Sequence, residues 1–230
     1  MTFRKVSVFI GAACAVICMF SLCAAQDSTN QANIKFKWVF AARSGAQGEK
    51  SVSAVTRDTL LKSGDEIKLF VYVIQKTFVY IIHKSSNTDL NLVFPYSLEM
   101  FDSGLTVDEN YYIPKGRAWF TLDTITGEET FYILASPTRL IALEHKLKDF
   151  IHAENSQKVK AGDVVIKEIQ DLKKQFRTFS TVAERPVVIA GNVRGTLTDT
   201  MHPRRLDIAT LATEISAVNF YSKTITIDHK

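Results

Sequence analysis

Between Ser63 and Ser136 the chain repeats a pattern that few folds can absorb: a short β-branched and aromatic block, turn chemistry, then another block. The blocks are SGDEIKLFVYV (Ser63–Val73), FVYIIHK (Phe78–Lys84), LNLVF (Leu90–Phe94), YYIP (Tyr111–Pro114), WFTLD (Trp119–Asp123) and TGEETFYILAS (Thr126–Ser136). Each is bounded by Gly, Pro, Asn, Asp or Ser, as strands are. Short strands at this spacing imply an antiparallel sheet or sandwich. In Glu66–Ile74 both alternate sets, Ile67, Leu69, Val71, Val73 and Lys68, Phe70, Tyr72, Ile74, are largely apolar. A strand of that kind is central and covered on each side. Gln75-Lys76 and Ser85–Asp89 read as turns, and Pro95, which cannot donate a ladder hydrogen bond, ends its strand or places it at an edge.

Upstream, Ile34–Ala41 alternates Ile34, Phe36, Trp38 and Phe40 against Lys35, Lys37 and Val39, a half-buried strand with its aromatic face inward. Arg43 to Lys50 reads as a loop and Ser51–Thr56 as a short strand pairing back. After Pro137 the period changes to that of a helix. Leu140, Leu143, Leu147 and Phe150 mark an amphipathic helix from Arg139 to His152. Val165, Ile169, Leu172, Phe176 and Phe179 mark a second, from Gly162 to Phe179, with Asp163 as N-cap. Its stripe falls short of the heptads a coiled coil needs, so it is expected to lie on the sheet. Arg185 to Asp207 reads as a loop holding one short strand, Val187–Ala190; Asp207 to Ile215 reads as a short helix and Thr224–Asp228 as a closing strand. The expected fold is α+β and mainly β: an antiparallel, sandwich-like sheet with two or three C-terminal helices packed on it. Residues 34–137 would form the β-rich domain, and 138–230 a helical part with a closing strand in the same unit.

The first 25 residues are expected not to belong to that fold. Arg4 and Lys5 precede an apolar run, Val6 to Leu22, and Cys23-Ala24-Ala25 offers small residues for cleavage after Ala25, the pattern of a secretory signal. A retained anchor or an acylated Cys23 are the alternatives, and 26–33 reads as a flexible leader. Cys14, Cys18 and Cys23 all fall in the signal, so the mature chain would rely on a packed core without disulfides. It would keep 26 basic and 24 acidic residues, a balance that gives no reason to expect nucleic acid as partner. Membrane contact is expected only if the signal segment is retained. Another envelope protein is the expected partner.

No catalytic constellation accompanies the strands. His83, His145, His152, His202 and His229 form no HExxH or HxH spacing, so no metal is expected, and all five read as surface or loop histidines. Glu128 and Glu129 are adjacent on a strand and point to opposite faces, a poor acid–base pair that reads as solvated. GNVRG (Gly191–Gly195) is neither a Walker loop nor a dinucleotide fingerprint, and no GxSxG surrounds any serine. No cofactor is expected. Arg204 and Arg205, beside His202, form a basic loop. With Tyr96 and Tyr111 they are the candidate interaction surface, since a sheet edge with aromatic anchors can take up a peptide. A hydrolase with loop residues such as Glu128, Asp199 or His202, or a small ligand held in an aromatic-lined sheet, are the alternatives.

The ordered pieces from Leu60 to Leu140 resemble the domain-of-unknown-function family 4384. The resemblance is carried by Gly64 before its strand, Tyr80 in the Y-I-I strand, Leu92, Phe94 and Pro95 in LNLVFP, Tyr112 and Pro114 in YYIP, Gly127 and Glu128 in the Gly-Glu pair, and Ala135-Ser136. Asn87-Thr88-Asp89 stands where that family usually has a turn glycine. The resemblance implies a bacterial exported or envelope-associated module, and for these positions structural roles with no catalytic residue.

Overall fold

The computed structural model describes residues 32–46, 50–87, 89–103, 105–177, 182–186 and 207–230. The expected signal segment, Thr88, Phe179, the expected strand Val187–Ala190, GNVRG, Asp199, His202, Arg204 and Arg205 lie outside them.

Among the described residues, twelve strands form two sheets. They are β1 (Ile34–Ser44), β2 (Ser51–Ala54), β3 (Thr59–Leu61), β4 (Glu66–Val73), β5 (Phe78–Lys84), β6 (Leu90–Phe94), β7 (Asn110–Ile113), β8 (Phe120–Thr121), β9 (Gly127–Ser136), β10 (Val182–Pro186), β11 (Thr213–Ala217) and β12 (Tyr221–His229). The first sheet runs β10-β11-β1-β4-β7, with β2 also on β1 and β8 also on β4. The second runs β3-β12-β9-β5-β6. Every pairing is antiparallel except β3 with β12. As expected, β4 is central: β1 pairs along one edge, β7 and β8 along the other. The turn after it does not make a hairpin, because β4 and β5 belong to different sheets.

The inner faces share one core. Phe36, Phe40, Leu69, Val71 and Ile113 from the first sheet meet Val79, Ile81, Ile133, Ile225 and Ile227 from the second. Period-two alternation predicts this for β1, whose Phe36, Trp38 and Phe40 all point inward. The outer face of the second sheet carries the helices α1 (Ile141–His152) and α2 (Asn155–Phe176). There Leu143, Leu147, Val165, Ile169 and Leu172 bury Tyr80, Ile82 and Leu134. On the outer face of the first sheet, Ile208 and Ala212 pack on Val39, Ala41 and Phe70.

Four expectations change. The second helix starts at Asn155, not Gly162, and Asp163 is an exposed interior residue. Residues 155–161 carry no buried apolar side chain, which hid the first turns. They are fixed by Lys158, whose Nζ donates to the Phe150 and Ile151 carbonyls at 2.7 and 3.0 Å. The expected helix 207–215 is a 3-10 turn, Ile208–Leu211, followed by a strand. Asp207 caps that turn by accepting from the Ala209 amide at 3.0 Å, and Ile215 and Ala217 then alternate inward along β1. The end of the expected leader is held: the Asn33 amide donates to Ala217 O and its Oδ1 accepts from the Asn219 amide. The C-terminal part supplies β10 and β11 beside the closing strand.

At the end of the β1–β4 seam, Arg43 grips Glu66 with two hydrogen bonds of 2.8 and 2.6 Å, and Lys50 adds one of 2.9 Å. The Arg43 fork, with Lys50 assisting and burial opposing, pulls the Glu66 carboxyl from 4.5 down to about 2. A depressed carboxyl pKa contributes stability that is complete above the unfolded value and lost as pH falls through the folded one. Glu66→Gln should therefore have a lower urea midpoint than the parent at neutral pH, with the gap closing between 4.5 and 2. A gap that persists below pH 2 would exclude this linkage.

Candidate functional site

The sandwich is open at one end, and the opening is a cleft of about 630 Å³. Its walls come from both inner faces: Ile67, Ile113 and Phe120 on one side, His83, Glu129 and Phe131 on the other. The polar groups arrive by strand parity. His83 continues the inward row Val79, Ile81 of β5; Glu129 continues Phe131, Ile133 of β9; His229 continues Ile225, Ile227 of β12. At the mouth, where the apolar residues stop, those same rows deliver imidazoles and a carboxylate.

His83 and Glu129 form a built pair. Nε2 lies 2.5 Å from Glu129 Oε2, and the ring stacks on Phe131 at 4.5 Å between centroids. An ionised carboxylate only accepts, so Nε2 carries the hydrogen. The other carboxylate oxygen accepts from the Ser86 amide at 3.2 Å, which ties the Ser85–Asp89 turn to the pair. His229 is buried and its Nε2 lies 3.1 Å from Ser63 Oγ. Neither pair extends into a nucleophile–base–acid chain among the described residues, and no group of three metal-type ligands occurs among them. The cleft can offer an apolar wall and an oriented hydrogen-bonding point.

Gly127 makes the turn's position attainable. Its φ is +140°, and a Cβ placed there would lie 2.5 Å from Ser86 Cβ. Gly127→Ala should therefore destabilise the protein by about 1–3 kcal/mol from backbone strain alone, and displace the Ser85–Asp89 turn as well. Chemical denaturation against the parent measures the first effect; an unchanged midpoint would show that the turn yields freely.

The outermost strand at the cleft is β6, which among the described residues pairs only with β5. Its regular pairing runs over Leu90–Leu92, since the register shifts between Ile81 and Ile82 and leaves Val93 as a bulge. On the helix side of the same strand lies a second groove, about 850 Å³, between Leu92, Leu98 and the α1 residues Leu147 and Ile151. Asn91, Leu92 and Tyr96 line both cavities.

Among the expected interaction residues, Tyr96 fits: it is partly exposed and its hydroxyl donates to Tyr112 O at 2.8 Å. Tyr111 does not. It is buried on Phe94, 5.3 Å between ring centroids, and its hydroxyl is taken up by the Thr106 amide and Glu109. The aromatic period that marks it puts it on the inner face. The expected surface role of His83 and His229, and of Glu129, is corrected: all three are on strands and face inward. Glu128 is exposed on the opposite face, away from the cleft, so it does not join Glu129 there.

The residues that carry the resemblance hold the frame around this end. Gly64 turns between β3 and β4 at φ +87°, with its amide donating to Leu122 O. Tyr80 is fully buried, and its hydroxyl donates to Glu144 and accepts from the Leu140 amide. Phe94 fills the core between Tyr96 and Tyr111, while Pro95 and Pro114 follow the ends of β6 and β7. Tyr112 faces outward and donates to Asp207, and buried Ser136 accepts from the Thr138 amide.

Comparison with known proteins agrees with this frame. Residues 60–139 match the family model described as Domain of unknown function (DUF4384). No curated protein and no solved structure matches the chain. The match runs from β3 to just before α1, about a third of the chain, and over that stretch the chain is similar to this family.

Proposed function

We propose that this chain is a non-enzymatic interaction module of an exported envelope protein, and that it takes up an extended segment of a partner along β6. The observation that carries this reading is a sheet edge with a cavity on each face. A strand added to an edge places successive side chains on alternate faces of the sheet. Beside β6 they would enter the 630 Å³ cleft and the 850 Å³ groove in turn. The bulge at Val93 limits main-chain pairing to a few residues, so side chains in the two cavities supply most of the affinity. In the cleft, the His83–Glu129 pair offers a hydrogen-bonding point to a polar group of the partner.

Selection of seven-residue peptides from a displayed random library on the purified chain tests the site. Binders should repeat apolar residues at alternate positions and lose tenfold or more in affinity to Leu92→Glu, a half-buried residue shared by both cavities. Failure to enrich any peptide, or equal binding by the variant, would refute it. Export rests on Arg4 and Lys5, the apolar run from Val6 to Leu22 and the small residues after it. No helix of the described residues is long and apolar enough to cross a membrane. The intact mass of the native protein should correspond to a chain beginning at Gln26; a retained N-terminus or an acyl mass on Cys23 would make it membrane-anchored instead.

A further inference from the structure

We infer that the outer face of the first sheet carries a second, separate site: a groove that binds a small anionic ligand through phosphate or carboxylate oxygens, with Lys68 as its floor. The groove encloses about 1040 Å³ and is lined by Arg43, Lys50, Lys68, Arg117, Tyr112 and Trp119, with Asp207 at one side. Strand parity aims these groups there. Lys68 alternates with the inward Ile67 and Leu69 of β4, Arg43 follows the inward Ala42 of β1, and Tyr112 sits between the inward Tyr111 and Ile113 of β7.

Lys68 is the informative residue. Only 4% of it is exposed, yet it has no carboxylate partner among the described residues. Its Nζ donates to Gly116 O at 2.7 Å and Ala118 O at 2.5 Å, and the rings of Tyr112 and Trp119 lie 5.7 and 5.9 Å away. An ammonium has three N–H donors, so one is left over. Two carbonyls and two ring faces stabilise the charge without cancelling it, and a buried charge of this kind is costly unless it is neutralised. Burial, with Arg43 as a second cause, lowers its pKa from the ordinary lysine value.

The neighbours add positive charge. Arg43 and Lys50 both pair with Glu66, their one counter-ion among the described residues. Arg117 is exposed and makes no ion pair among the described residues. Asp207 is occupied by the Tyr112 hydroxyl and the Ala209 amide. Among the described residues the balance is cationic, and Arg43 stacked 4.8 Å over Trp119 gives the groove a flat wall. A pure strut, holding residues 116–118 against β4, would need Lys68 but not this surrounding charge.

The test uses the full chain at constant ionic strength, with pyrophosphate and citrate as separate probes and sodium chloride as the matched control. Tm and tryptophan emission are read together, since Trp119 lines the groove. At least one probe should raise Tm and change emission. Arg117→Ser should fold as the parent does and bind that probe several-fold more weakly. Lys68→Met, if it folds, should lose the response altogether. A response to pyrophosphate alone assigns a phosphate ester, to citrate alone a polycarboxylate, to both an oxyanion site without preference. No response to either probe overturns the inference, as does unchanged binding by Arg117→Ser or by folded Lys68→Met. None of these results depends on peptide binding at β6.

Discussion

Arg139→Met should cost about 3–5 kcal/mol of stability, the usual penalty for leaving one partner of a buried ion pair alone. Glu144 is 2% exposed beneath α1, and its carboxylate accepts from the Tyr80 hydroxyl at 2.6 Å. Arg139 Nε reaches both its oxygens at 3.0 Å, and Arg139 also pairs with Asp102. The same Tyr80 hydroxyl accepts from the Leu140 amide at 2.9 Å, at the first turn of α1. One network thus binds β5, the loop before β7 and the helix entrance. Burial, then the Glu144 carboxylate, raise the Tyr80 phenol far above its ordinary range, so it stays a donor at any pH the fold survives. The Arg139 pKa is raised in turn, first by its bonds to Glu144. Adding Glu144→Gln to Arg139→Met should restore much of the loss, because the amide still accepts from Tyr80 without a charge to neutralise. Urea denaturation of both variants beside the parent decides it. A single variant within about 1 kcal/mol of the parent would mean that the carboxylate finds water instead.

Leu172→Ala is expected to cost about 2–5 kcal/mol, the range for a truncated core leucine. Its stripe, Val165, Ile169 and Leu172, is covered within the chain by Leu143, Leu147, Phe150 and the outer face of the second sheet. Phe176 extends the contact by stacking on Phe220 at 4.9 Å. The surface-facing Lys167→Ala is the matched control and should stay within about 0.5 kcal/mol. An unchanged midpoint for Leu172→Ala would mean that α2 leaves the sheet in solution and that its stripe serves a partner.

The strands were legible because alternation and turn residues agree along 63–136, and the helices because the period changes cleanly after Pro137. Pairing was less legible. Gln75-Lys76 has the composition of a hairpin turn, yet β4 and β5 part into different sheets, a choice made by core packing. β3 is too short, and β10 too polar in VAERP, to stand out from loops. The candidate cleft was hidden for a different reason. His83, Glu129 and His229 lie far apart in sequence and each looks like an isolated polar residue. Continuing each strand's inward row by one step would have placed all three on the inner face; no spacing rule could have shown that the rows end at the same opening. The Lys68 groove was legible only as one lysine in an apolar strand, the kind of local conflict that marks a site more often than the core.

The position of β12 has a consequence for how the molecule comes to be folded. Residues 221–229 lie between β9 and β3, and Lys230 exchanges backbone hydrogen bonds with Leu61 and Ser63. While the ribosome is still making those residues, β9 has an open edge and β3 has no partner. Closing the second sheet means bringing together segments more than 160 residues apart, as the Thr226–Asp58 bond illustrates, and such non-local pairing is slow. The matched segment 60–139 is then not a folding unit by itself: released alone it would present the apolar edge of β9 to its neighbours. Fusions or truncations that free the last ten residues should show this first as aggregation during expression, before any loss of binding can be measured.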